Sequence, residues 1–88
     1  MISKTVRIYN HLGIHARPAA LIVKEAAQYS ADIYFSKGET QRINGKSIMG
    51  VMMLAAEEGS EVLVEAQGED AAAAVENLAQ LFESNFEV

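Results

Sequence analysis

Between Ile2 and Tyr9 the chain alternates, with Ile2, Val6 and Ile8 on one side and Thr5, Arg7 and Tyr9 on the other, a period of two that predicts a half-buried strand. Asn10 to Ile14 reads as a loop in which Gly13 can take a backbone that other residues resist. From Pro18 the spacing changes: Ala19, Ile22, Val23 and Ala26 fall at i, i+3, i+4 and i+7, the apolar stripe of a helix facing a core. "ADIYF" alternates again with Ile33 and Phe35 inward, "KGE" reads as a hairpin turn, and "TQRIN" returns as a shorter strand ending near Ile43. In "SIMGVMMLAA", Ser47 stands where a helix N-cap belongs, ahead of apolar residues on every side of one or two turns, and Gly59 ends the segment. "EVLVEA" is a fourth strand, with Val62, Val64 and Ala66 on one face and Glu61, Leu63 and Glu65 on the other. Asp70 then caps a last helix whose Val75, Leu78, Ala79 and Phe82 repeat the i, i+3, i+4, i+7 stripe.

The resulting order is β-α-β-β-α-β-α, without an internal repeat or linker. Outward faces bearing Thr, Arg, Tyr and Glu suit an antiparallel sheet with one wet face and one face under helices. The expected class is therefore α+β: an open-faced two-layer sandwich, four antiparallel strands covered on one face by three helices, as a single domain over residues 1–88.

Composition narrows the chemistry. Eighty-eight residues, half of them apolar, build one small core. Little volume is left for the roughly 300–1,000 Å³ cleft of a small-molecule enzyme, so a shallow docking site is expected. The absence of Cys excludes disulfides, thiol catalysis and thiolate metal sites and suits a reducing, cytoplasmic compartment. No apolar run approaches the ~20 residues of a membrane span and the N-terminus has no long apolar h-region, so no membrane insertion is expected. Twelve acids against seven bases give a net charge of −5, which disfavours nonspecific nucleic-acid binding.

Candidate chemistry gathers at "LGIHARPAA", where His15 and Arg17 stand at the start of the first helix. The first amides of a helix lack intrahelical partners, and the macrodipole places about +0.5 charge there, which stabilises an anion. Pro18 fits a first helical turn, and it biases Arg17 away from helical geometry. A neutral imidazole is a nucleophile near neutral pH, adjacent amides such as those of Ala16 and Arg17 can receive oxyanions, and the guanidinium can donate a fork of hydrogen bonds to phosphate. Together they describe a transient phosphohistidine site. The same helix end would depress the imidazolium pKa and favour the unprotonated ring before phosphate arrives. The plain alternative is a surface or capping histidine. His11 invites a metal reading, but Gly13 interrupts any helix joining it to His15 and no third ligand is evident, so no metal and no cofactor are expected. A Ser-His-Asp hydrolase would need an oxyanion hole and a pocket for which the chain gives little sign.

"GIHARPAA", followed further along by "NGKSIMGVMMLAA", resembles HPr, the histidine-containing phosphocarrier family of the bacterial sugar phosphotransferase system, over essentially the full chain. The first motif matches the family's phosphorylation-site region and the second its regulatory-serine region. The family has the same β-α-β-β-α-β-α open-faced sandwich. The resemblance implies that His15, through Nδ1, accepts a phosphoryl group from enzyme I charged by phosphoenolpyruvate and passes it to IIA proteins or domains, with Arg17 assisting at the phosphate. Such a protein is modified stoichiometrically and is not an independent catalyst. Ser47 matches the serine that HPr kinase/phosphorylase modifies in many relatives. Its N-cap role, worth ~0.5–2 kcal/mol, holds regardless. Phosphate there would add about −1.5 to −2 charge, favouring the helix locally and repelling partners acidic around their active sites.

Ile48 and Met52, like Met49 and Met53, are spaced i, i+4, so one of these stripes is expected outside. The family interface implies partner contacts by Ile48, Met49 and Met52 beside Ala20, Lys24, Arg17 and Lys46, with Ile48 shared with the core; Met suits a surface that binds several proteins in turn. Ordinary core packing with scattered exposure is the competing account. The chain departs from some relatives in its acidity, in Ala27 where they carry a further base, and in a one-residue difference within "FSKGETQRI". These weaken steering but do not touch His15 or Arg17. The alternative function is a regulatory HPr-like module of a nitrogen-type or incomplete phosphotransfer branch, or one acting through Ser47 and a transcriptional regulator. Relatives confined to that last role lack the histidine. A monomer is expected, because transient docking already accounts for the exposed patch.

Overall fold

The computed structural model describes residues 1–9, 16–54 and 56–84. Its elements run β1 (Ile2–Arg7), α1 (Ala16–Ala26), β2 (Asp32–Lys37), β3 (Thr40–Asn44), α2 (Ile48–Met53), β4 (Glu61–Gln67) and α3 (Ala71–Glu83). The four strands form one antiparallel sheet in the order β1-β4-β2-β3. The α+β sandwich read from the periodicity is the observed fold.

Alternation decides which face is dry. Val6, Ile33, Phe35, Val62, Val64 and Ala66 are buried under the helices, and Ile8 prolongs β1 by exchanging backbone bonds with Ser60 and Gly59 at 2.9 and 2.7 Å. The α3 stripe of Val75, Leu78, Ala79 and Phe82 closes the core over β1, β4 and β2, with the Phe82 ring edge-on to Phe35 at 5.6 Å. Burying each large side chain of this kind contributes roughly 1.5–3 kcal/mol. Ile2, expected inward, lies opposite Ala66 at the end of an edge strand and is exposed.

The open face is held by side chains. Arg42, at a bulge where φ is +52°, donates its backbone N–H to the Ser36 hydroxyl at 2.9 Å, and its guanidinium lies 4.2 Å above the Tyr34 ring and 3.6 Å from Glu65. The buried Ser36 thereby replaces the ladder bond that the bulge interrupts.

Two boundaries differ from expectation. The first helix starts at Ala16, so Arg17 is helical despite the proline after it. Pro18 is still in the first turn, where a missing N–H removes no helical bond. The second helix stops at Met53: the Leu54 N–H turns in to the Val51 carbonyl at 3.2 Å, and Gly59, with φ +87°, belongs to the turn before β4.

Candidate functional site

Helix α1 begins at Ala16, the residue after His15 in the chain. His15 and His11 lie outside the described residues, as does the Ala16 side chain. What the structure places is α1 from Ala16 onward. Arg17, Ala20 and Lys24 are all exposed and fall at i, i+3 and i+7, so they share one strip of α1. No acidic residue occupies the first turn, and Lys24 stands in the last. The helix start therefore keeps its positive end, with a guanidinium in its first turn. Ala27, also exposed, follows Lys24 beyond the end of the helix.

Alongside α1 packs α2, which also rests on β3. Ser47 is its N-cap in extended geometry, its hydroxyl accepting the Gly50 N–H at 3.1 Å while its carbonyl accepts the Val51 N–H at 2.9 Å. Gly50 permits the close approach: a Cβ there would lie 2.9 Å from Ile43 Cγ2 and 3.3 Å from the Asn44 carbonyl oxygen. Only Val51 of this helix is buried, with Leu54 just beyond it. The expectation that one apolar stripe would be outside is exceeded, since both are: Ile48 is 42% and Met52 45% exposed, Met49 74% and Met53 67%. A six-residue helix at the edge of the layer has one narrow underside, already filled by Gly50 and Val51. Met53, absent from the residues assigned to docking, joins the surface, and its i+4 spacing from Met49 was the signal for it.

Lys46 faces another way. It is half-buried, and its ammonium donates to the Tyr29 carbonyl at 2.6 Å, tying the approach to α2 to the chain beyond α1. Tyr29 donates its hydroxyl to Glu25 at 2.7 Å and accepts from Asn77 at 2.6 Å. Burial, then the bond to Glu25, raises its phenol above the ordinary range. A depression of about 500 Å³ is lined by Glu25, Asn77, Gln80, Leu81 and Ser84 and does not include Arg17, Ser47 or the α2 methionines. The exposed strip of α1 thus lies on a helix packed against the apolar α2, and its first turn carries no acidic residue. Among the described residues no helix is long and apolar enough to cross a membrane.

Comparison with known proteins identifies the family. Residues 2–84 match the family described as PTS HPr component phosphorylation site. The chain is 47% identical over 87 residues to the phosphocarrier protein HPr of Treponema pallidum, covering 99% of this chain and 98% of that one. It is 44% identical over 79 residues to the HPr-like protein Crh of Bacillus subtilis, covering 90% and 92% respectively. Among solved structures, HPr-C-His from Thermoanaerobacter tengcongensis is similar with a TM-score of 0.90 and 40% identity, both chains covered in full.

Proposed function

The chain belongs to the HPr family of PTS phosphocarrier proteins, and we propose that a single HPr-like domain over residues 1–88 carries its phosphoryl group on Nδ1 of His15. In this reading the neutral ring attacks the phosphorus held by phosphorylated enzyme I; a P–N bond forms to Nδ1 as the bond to the donor atom breaks. Arg17 donates to the equatorial oxygens, and the backbone N–H groups of Ala16 and Arg17 at the α1 start receive the remaining charge. The reverse exchange delivers the group to a IIA protein or domain. No cofactor or metal enters, and the protein is a stoichiometric intermediate rather than a catalyst, working in the cytoplasm as a monomer.

The observation that carries this is an exposed Arg17 in the first turn of a helix with no acidic residue there, beside the apolar α2. Docking falls to Arg17, Ala20, Lys24, Ile48, Met49 and Met52, joined by Met53, while Lys46 acts indirectly through Tyr29. The similarity to Crh, together with the accessible cap at Ser47, supports a second, regulatory output in which HPr kinase/phosphorylase modifies Ser47 and a transcriptional regulator reads the product.

The test is the intact mass after incubation with enzyme I, phosphoenolpyruvate and Mg²⁺, before and after brief acid. An acid-labile gain of one phosphate, lost in His15→Ala, is the expected result. Acid-stable phosphate, or acceptance surviving His15→Ala, would overturn it.

A further inference from the structure

The chain has no cysteine, so its sulfur is confined to four methionines, and every one is exposed: Met1 at 64%, Met49 at 74%, Met52 at 45% and Met53 at 67%. Methionine ordinarily fills irregular gaps in cores, yet this core is built from Val, Ile, Leu, Phe and Ala. Three of the four thioethers stand on the six residues of α2, and no thiol in the chain competes with them for an oxidant.

We propose that Met49, Met52 and Met53 form an oxidant-responsive modification site, at which peroxide converts thioethers to sulfoxides and thereby closes the docking face; this rests on the reading of α2 as that face. A sulfur lone pair attacks one peroxide oxygen. The S–O bond forms as the O–O bond breaks, and the departing hydroxide takes the proton of the transferred OH to leave as water. Sulfur loses two electrons and the peroxide gains them. The sulfoxide is polar, chiral and stiffer than the thioether, and enzymatic reduction reverses it. In the free protein it costs little, because Val51 and Leu54 hold α2 down and the three methionines are exposed. Against a partner each sulfoxide oxygen must be dehydrated, which opposes docking.

Dilute hydrogen peroxide, followed by peptide mass mapping and by titration against unphosphorylated enzyme I, tests this. Met1 serves as the internal reference, since β1 and β3 are opposite edges of the sheet and α2 lies at β3. Met49 and Met53 should oxidise at about the rate of Met1 and Met52 more slowly, as their exposures rank. The unfolding midpoint should be unchanged while docking weakens by roughly tenfold, with recovery on treatment with methionine sulfoxide reductases. The triple variant M49L/M52L/M53L keeps Met1, and its docking, whatever its starting affinity, should not respond to the same dose. Equal docking before and after oxidation overturns the proposal, as does a triple variant that still responds. A protein that fails to dock before any peroxide is added removes the carrier reading, and the proposal with it.

Discussion

Asp70 stands at the start of α3, where a carboxylate ordinarily caps the helix, but it makes no side-chain cap bond. Its oxygens accept the backbone N–H groups of Ser30 and Ala31, both at 2.8 Å, and the Ser30 hydroxyl at 3.3 Å. The carboxylate thus pins the entry to β2 against the entry to α3. Those bonds, the Ser30 amide first, hold its pKa below the usual carboxylate value. A lowered folded-state pKa means the stabilisation is complete above the ordinary carboxylate range and is lost as pH falls through the lowered value. Asp70→Ala should therefore unfold at lower urea than the parent at neutral pH, and the two midpoints should converge in acid; a gap that persists at every pH would show that charge is not what matters. Arg17 is the opposite kind of residue, exposed on the first turn of α1. Arg17→Ala should slow phosphoryl acceptance roughly a hundredfold in a rapid-quench assay while leaving the urea midpoint in place.

At the scale of elements, α2 is the one whose sequence and setting disagree most. As a short helix with apolar residues all round it should be buried, yet it is anchored by one cap, one glycine and Val51. Ser47→Ala should cost ~1 kcal/mol of unfolding free energy, whereas Ser47→Asp keeps a capping oxygen and should be near neutral. Gly50→Ala sets a helix-propensity gain of about 1 kcal/mol against a Cβ 2.9 Å from Ile43 Cγ2. Because Ile43 and the Asn44 backbone belong to β3, the helix must lift, and the variant should be net destabilised in the same urea experiment. The periodicity of β2, β4 and α3 was legible because each side chain obeys one local rule, and Ser47 was legible because a cap acts within its own turn. Asp70 was not: its partners lie 39 and 40 residues away, and at short range it looks like any N-cap. Arg42 was hidden for a similar reason, since nothing in "TQRIN" announces that the strand bulges and borrows the Ser36 hydroxyl. In the site, Ala20 and Lys24 beside Arg17 followed from the resemblance to HPr, whereas an outward apolar stripe on α2 could be read from i, i+4 spacing. That both α2 stripes are outside could not, because it depends on how narrow a seat β3 and α1 provide.

Across the whole molecule, opposite signs act over different distances. The chain carries −5 within extents of 33 × 29 × 21 Å, while the exposed strip of α1 presents Arg17 and Lys24. A partner that is acidic around its active site is repelled by the total and attracted by the strip. At ~0.01 M ionic strength the Debye length is about 30 Å, comparable with the molecule, so the total is felt; at ~0.15 M it is about 8 Å and only the facing groups count. The association rate with phosphorylated enzyme I should therefore rise as salt is first added, pass through a maximum, and fall once the local attraction is screened as well. Lys24→Glu, which moves the net charge from −5 to −7 and takes the strip from two positive charges to a net of zero, should lose the falling limb and leave a curve that only rises. Stopped-flow association measured across that range distinguishes the cases. A rate that falls from the lowest salt onward would mean that the partner senses the strip alone, and that the acidity of the rest of the chain has no part in the encounter.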